Sequence, residues 1–381
     1  MGDLKSLMPK KLGFGCMRLP VIGEDTAKID DKAFGEMVDK YLEQGFCYFD
    51  TAYPYHNEKS EEAVKRCIVN RYPREQFFLA DKMPVWNVKK TEDYDRIFEE
   101  QKRRCGVSYF DFYLLHAMDK ARVEETERLG GFERLAERRK AGEIKYLGFS
   151  FHDSADVLEE ILSNHPELEF VQLQINYYDW DSESVQSRKC YETAVRHNVP
   201  VIVMEPVKGG TLANLIGEPE KILKKLDDKA TPASFAIRFA ASLDNVMLVL
   251  SGMSDMEQLL DNTSYMREFQ PLNEEEKDAI VRVVDELHKI PTIPCTKCRY
   301  CVEGCPKKIV IPSVFDAYNF SVQFGVNEKT RKGYENAVQE HGKASDCIHC
   351  GKCESQCPQH LEIRKLLEDV AKTFEDGTLD K

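Results

Sequence analysis

Eight short apolar runs alternate with amphipathic stretches between residues 12 and about 272, and this alternation limits the possible folds more than any other feature. The runs are LGFGCMRLP, FCYFDTA, FFLADKMP, DFYLLHA, YLGFSFH, FVQLQINYY, PVIVMEP and VMLVLSGM. Segments such as DDKAFGEMVDKYLEQG, KSEEAVKRCIVN and SADVLEEILSNH separate them. In the first of these, Phe34, Met37, Val38, Tyr41 and Leu42 recur at three- and four-residue intervals, the spacing of one helix face. Strands that are apolar throughout and alternate with helices belong to a parallel sheet covered on both sides. Eight such units fit a closed (β/α)8 TIM barrel of the α/β class better than an open, doubly wound sheet. The open sheet would favour a G-x-G-x-x-G turn after its first strand, and GFG at 13–15 lacks the third glycine. Asp153 and Ser154 read as caps of one helix, and Asn273 with Glu276 as a capping box on another.

Composition excludes some partners. The chain has 381 residues with a formal net charge of −13, which argues against a nucleic-acid backbone as ligand, because that binding releases counterions to a basic surface. No run of apolar residues is long enough to span a membrane, and MGDLKSLMPKK lacks the apolar stretch of a secretory leader. A cytoplasmic location is therefore expected. There the cysteines stay reduced, and Cys16, Cys47, Cys67, Cys105 and Cys190 read as small buried hydrophobes.

In a barrel of this kind, chemistry belongs where strands end and the following loops begin. Asp50 lies at the end of the second run with Tyr55 in the loop beyond it, Lys82 closes the third run, and His116 closes the fourth. Each alone has an ordinary structural reading: an ion pair, an aromatic loop, a hydrogen-bonded histidine. Together they form a tyrosine, a lysine, an aspartate and a histidine on three consecutive strand ends, a constellation with a chemical reason to exist. Tyrosine, with an unperturbed pKa of about 10, exchanges protons near neutrality more easily if a neighbouring ammonium stabilises the phenolate and lowers that value.

The remaining eight cysteines form two copies of C-x2-C-x2-C-x3-C-P. The first comprises Cys295, Cys298, Cys301 and Cys305, and the second Cys347, Cys350, Cys353 and Cys357. Zinc also binds paired C-x-x-C units, but its sites do not require four close cysteines in each half ending in Cys-Pro. The duplicated motif matches the two-cluster ferredoxins, whose fourth cysteine serves the other cluster. That pattern implies two [4Fe–4S] clusters, one on Cys295, Cys298, Cys301 and Cys357, the other on Cys347, Cys350, Cys353 and Cys305. SVFDAYNFSVQFG, KTRKGYENAVQEHG and LEIRKLLEDVAKTFE read as helices, so this module is mostly helical. The prolines of IPTIP put the expected boundary near residue 289, giving domains 1–288 and 289–381.

From LGFGCMRLP through FDTAYPYHNEKSEEAVK, ADKMP, DFYLLH, GFS, VQLQINYY and EPVKGGTL to SGMSDMEQLLDN, the chain resembles the aldo-keto reductases, within them the subgroup with a ferredoxin-like C-terminal domain. The resemblance implies that Asp50, Tyr55, Lys82 and His116 are a catalytic tetrad, with Tyr55 the general acid and Tyr53 two residues too early. It also implies a nicotinamide nucleotide held by Ser150 and Gln174 at the carboxamide, by Gly209 and Gly210 at the pyrophosphate, and by Gln258 and Asn262 at the adenine. Three positions depart from the usual pattern. Phe151 follows Ser150 where an asparagine is common, Met204 stands where an aromatic usually stacks, and Asp255 replaces basic partners of a 2′-phosphate. Asp255 favours NADH over NADPH, with Lys208 as the remaining phosphate partner. A flavin has no signature here, yet a barrel can hold FMN without one. Trp86, Met118, Tyr178 and Trp180 lie just past strand ends, placed to line an apolar pocket or to cap the rim.

The expected activity is reduction of an aldehyde or ketone by NAD(P)H, or the reverse oxidation of an alcohol, with the clusters passing electrons to or from a partner protein. Two alternatives stand beside it: clusters that serve structure or redox sensing only, and an electron-transfer or scaffold subunit whose barrel has lost catalysis.

Overall fold

The computed structural model describes residue 4 and residues 7–23 and 25–375; the N-terminal stretch considered above as a leader lies partly outside these. Eight parallel strands close into a barrel in sequence order. They are β1 (Leu12–Gly15), β2 (Tyr48–Asp50), β3 (Phe78–Met83), β4 (Phe110–Met118), β5 (Ile144–Phe151), β6 (Phe170–Gln174), β7 (Val201–Met204) and β8 (Val246–Ser251). The expected (β/α)8 architecture is present, and each apolar run supplies one strand. The capping box also forms, with Asn273 and Glu276 each accepting the other's backbone amide at 2.9 Å. Ser154 does start the helix Ala155–Asn164, but its side chain makes no capping bond. Asp153 accepts from Ser154 N and Lys120 N instead, at 2.7 and 2.9 Å.

Strand periodicity explains where polar groups enter the barrel. Successive residues face opposite sides of a strand, so positions two apart share a face. Tyr48, Ala80, Phe112, Leu114, Phe170, Ile202 and Leu248 pack in one buried cluster. Phe49, Leu79, Tyr113, Leu115 and Val171 belong to another, which includes helix residues such as Phe34, Met37 and Phe98. Two residues beyond members of the first cluster come Asp50, Lys82, His116 and Gln172, with Gln174 two further on. Apolar packing therefore fills one level of the interior, and the same face turns polar at the C-terminal ends of β2, β3, β4 and β6.

The chain divides into two compact units. The first comprises residues 1–207 and 229–277, and the second residues 208–228 and 278–381. The second unit is mostly helical, with helices Ile311–Phe324, Glu328–Val338 and Ile363–Phe374. Its core is built from Ile293, Ile309, Ile311, Val314, Phe315, Tyr334, Ile363, Leu367 and Val370. Among the described residues no helix is long and apolar enough to cross a membrane.

Candidate active site and cluster ligands

Strand register brings the ends of β2, β3 and β4 together. Asp50 is paired with Ala80, two residues before Lys82; Lys82 is paired with Leu114, two residues before His116. All three side chains therefore face the interior at the same end of the barrel. Lys82 is wholly buried, and its ammonium uses all three donors: on Asp50 Oδ1 at 2.5 Å, on the Thr51 carbonyl at 2.8 Å and on Tyr55 Oη at 3.3 Å. The Tyr55 ring lies edge-on to His116, with centroids 6.0 Å apart. The structure thus brings Asp50, Tyr55, Lys82 and His116 into one cluster. It separates Tyr55 from Tyr53, whose ring stacks on the Arg104 guanidinium at 4.6 Å.

Two further residues, not singled out in the sequence, hold this cluster. Gln172 on β6 donates to Asp50 Oδ2 at 3.2 Å, so both carboxylate oxygens are engaged. Replacing Gln172 with Leu is expected to lower kcat for carbonyl reduction about tenfold, the worth of one hydrogen bond to a charged group, with the fold intact by circular dichroism. His56 follows Tyr55 and opens a run of left-handed residues, His56, Asn57 and Glu58, with φ of 54°, 50° and 64°. Its Nδ1 donates to the Thr26 carbonyl at 2.7 Å and its Nε2 accepts from Leu19 N at 3.0 Å. Those two partners fix a neutral tautomer and compensate for the unfavourable backbone beside Tyr55.

Electrostatics depart from one expectation. Burial, followed by the charge of Asp50, pushes the Tyr55 phenol well above its ordinary value, although Lys82 lies within hydrogen-bonding distance. Loss of solvent and the nearby carboxylates outweigh the single ammonium, which Asp50 already neutralises. Tyr55 therefore keeps its proton. Burial also raises Asp50, against the pull of Lys82, and lowers His116 well below its ordinary value, with Lys82, His152 and Arg122 acting in the same sense. His116 is a neutral imidazole. Trp86 lies against it with centroids 5.1 Å apart, whereas Trp180 packs on Tyr191 and Phe239 and Met118 is in the core.

Behind β3 lies a second buried polar group. The ligand atoms of Glu61, Asp81 and Cys105 lie within 4.8 Å of one another. Arg104 Nε approaches Glu61 at 2.7 Å, so a guanidinium already supplies the cation. The network also grips the backbone of Lys82. Asp81 Oδ1 accepts from Lys82 N at 2.8 Å, and Gln101 Nε2 bridges Lys82 O and Glu61 Oε1 at 3.0 and 3.1 Å. Burial pushes the Asp81 carboxyl up from 3.8 to about 6 and raises Glu61 as well. Between these values the folded protein holds a proton that the unfolded chain has released, so stability falls as pH rises through that window. Asp81→Asn keeps the acceptor for Lys82 N and is expected to flatten the loss of Tm between pH 4 and 6, measured by calorimetry.

The residues expected at the nucleotide are divided between the two units. In the first unit, Ser150 Oγ accepts from Ala117 N at 2.7 Å, and Gln174 donates to Asp179 at 3.3 Å. Gln258 donates to Asp255 from its backbone and its side chain, both at 2.8 Å, so Asp255 caps the helix Met256–Met266. Asn262 donates to Ser251 Oγ at 2.7 Å and accepts from Tyr265. Gly209 and Gly210, with φ of 64° and 100°, lie in the second unit along with Lys208.

The cysteines group across the two motifs. Cys305 of the first motif lines one cavity with Cys347, Cys350 and Cys353 of the second. Cys357 of the second motif is close enough to Cys295 and Cys301 of the first that its charge would raise both thiols. This grouping, three cysteines of one motif with the fourth of the other, is the sharing that two [4Fe–4S] cores would use. Burial raises the thiols of Cys295, Cys301, Cys353 and Cys357, and a bound iron core would supply the positive charge that favours their thiolates.

Comparison with known proteins agrees with these two parts. The aldo/keto reductase family model matches residues 11–285, and that of the 4Fe-4S dicluster domain matches residues 294–361. An aldo-keto reductase of Mycobacterium avium is 27% identical over 246 residues, 64% of this chain and 80% of its own. A 9,11-endoperoxide prostaglandin H2 reductase of Trypanosoma cruzi is 24% identical over 72% of this chain and 89% of its own. Among solved structures, the holo form of an aldo-keto reductase from Bacillus halodurans superposes with a TM-score of 0.58 at 24% identity, covering 72% of this chain and 91% of that one. An aldo-keto reductase of Klebsiella pneumoniae in complex with NADPH gives 0.58 at 18% identity over 72% and 90% of the two chains. The chain belongs to the aldo/keto reductase family of oxidoreductases and carries a 4Fe-4S dicluster domain after its barrel.

Proposed function

We propose that the barrel reduces a small aldehyde or ketone with NADH or NADPH, or oxidises the corresponding alcohol, and that the two clusters exchange electrons with a partner protein. The observation that carries the catalytic part is the convergence of the buried Lys82 ammonium on Asp50, Thr51 O and Tyr55 Oη. When bound, the nicotinamide supplies the hydride to the carbonyl carbon. Tyr55 Oη gives its proton to the oxygen as negative charge develops there, and Lys82 stabilises the phenolate that remains. Asp50, held by Gln172, keeps Lys82 charged and aimed. His116, neutral, donates one hydrogen bond to the substrate oxygen without competing for the proton, so its titration is expected to appear in the pH profile of turnover only below the ordinary imidazole range. Solvent returns a proton to Tyr55 before the next cycle.

Ser150, Gln174, Gln258 and Asn262 are the residues of the first unit that would hold the nucleotide. NADH is the preferred donor in this reading, since the Asp255 carboxylate in that region disfavours a 2′-phosphate. Calorimetric titration with each nucleotide decides it: clear preference for NADPH removes the argument from Asp255. The cysteines Cys295, Cys298, Cys301 and Cys357 would hold one cluster and Cys305, Cys347, Cys350 and Cys353 the other. In this reading the protein works in the cytoplasm, where its thiols stay reduced.

The test of the whole reading is anaerobic. With clusters reconstituted, NADH or NADPH is added, and the cluster absorbance and electron paramagnetic resonance (EPR) signals are followed. Cluster reduction supports electron relay, through a flavin where one is needed to split the hydride into single electrons. Unreduced clusters, with carbonyl turnover that survives their removal, point to a structural or sensing role. Failure to bind either nucleotide points to a barrel that serves as a scaffold.

A further inference from the structure

Lys208 stands out among the lysines of the second unit. It is 2% exposed, although an ammonium is costly to bury without compensation. Its backbone adopts φ of 46°, a left-handed conformation that a non-glycine residue holds only when its surroundings impose it. The surroundings are visible. Lys208 Nζ donates to Gln359 Oε1 at 3.2 Å, and the next residue, Gly209, presses on Thr296 so closely that a Cβ there would lie 2.4 Å from the Thr296 carbonyl oxygen. Thr296 and Gln359 are not random neighbours. Thr296 follows Cys295, and Gln359 lies two residues after Cys357. The loop 208–210 is thus seated on the two chain segments that bring Cys295 and Cys357 to one cluster.

We propose that Lys208 is an electrostatic partner of the cluster held by Cys295, Cys298, Cys301 and Cys357, and that it raises the reduction potential of that cluster. The inference rests on the ligand sets proposed above, but not on carbonyl chemistry. One-electron reduction adds one negative charge to the cluster. A buried cation beside its ligand loops, where the dielectric is low, stabilises the reduced form more than the oxidised form. The resemblance assigned Lys208 and its neighbouring glycines to a nucleotide; the packing assigns them to the cluster. The effect is confined to the cluster nearest the loop, so only one of the two potentials depends on Lys208.

The experiment is an EPR-monitored potentiometric titration of the reconstituted full-length protein, with dithionite as reductant and without nucleotide or carbonyl. In Lys208→Gln and Lys208→Met, one of the two midpoint potentials is expected to fall by about 59 mV or more, a tenfold change in a one-electron reduction equilibrium. Lys208→Arg, which keeps the charge, is expected to stay near the wild type. Calorimetry of the Gln variant with NADH and NADPH should give wild-type affinities. Unchanged potentials overturn the proposal, and unchanged potentials with a tenfold loss of NADPH affinity return Lys208 to the nucleotide. Should the neutral variants lose iron, Gln359→Glu, which sets a carboxylate against the ammonium and offsets its charge, is expected to lower the same single potential; wild-type potentials in that variant overturn the proposal as well. A wild-type protein that takes up no iron overturns it together with the ligand sets, whereas a catalytically silent barrel leaves the titration unaffected.

Discussion

Tyr55→Phe is expected to lower kcat for carbonyl reduction by about 10²–10⁴-fold, the usual worth of a positioned general acid, while nucleotide affinity and Tm stay at wild-type values. The substitution removes one hydroxyl at the edge of the Lys82 ammonium and leaves the ammonium two acceptors, Asp50 Oδ1 and Thr51 O. No charge is left uncompensated. Lys82→Met is a poorer probe for that reason, since it strands the buried Asp50 carboxylate and is expected to cost about 3–5 kcal/mol of stability. Paired measurement of turnover and thermal unfolding separates the two cases. Full turnover in Tyr55→Phe would remove Tyr55 as the proton donor, and with it the argument built on the convergence at Lys82.

The second large effect concerns how the eight cysteines are shared. In the interleaved arrangement Cys295 and Cys357 serve the same cluster, so Cys295→Ser/Cys357→Ser should lose that cluster and keep the other, with iron content near half that of the wild type. Cys301→Ser/Cys305→Ser should damage both. If each motif bound its own cluster, the two results would be exchanged, because Cys295 and Cys357 would then belong to different clusters and Cys301 and Cys305 to the same one. Iron analysis and EPR of the reconstituted variants therefore discriminate between the arrangements without any assay of activity. The structure favours interleaving through the cavity shared by Cys305 with Cys347, Cys350 and Cys353.

Much of the barrel was legible because strand and helix periodicities are written locally. Residues two apart share a strand face, so once Tyr48 and Ala80 are interior, Asp50 and Lys82 must be interior too. The helical character of the cysteine-rich module was likewise readable from segments such as LEIRKLLEDVAKTFE, which forms the helix Ile363–Phe374. Gln172 was not readable. Its bond to Asp50 spans 122 residues and exists because the sheet closes, bringing β6 within reach of β2. The direction of the Tyr55 shift was misjudged for a related reason. A sequence shows that a lysine and a tyrosine occur near one another, but not how completely water is excluded from both.

The sequence by itself determined the eight strand–helix units, the candidate tetrad positions and the two cysteine motifs, because each depends on residue type and spacing along the chain. Tertiary structure alone decided which side chains share a desolvated volume: Gln172 with Asp50, the Glu61–Asp81 pair behind Lys82, and Lys208 with Gln359. It also decided that residues 208–228 pack with the cysteine-rich unit although the chain on both sides of them belongs to the barrel. Periodicity records which face of an element is apolar. Hydrogen bonds, charge and burial act through space, and their partners are set only when distant segments close on one another.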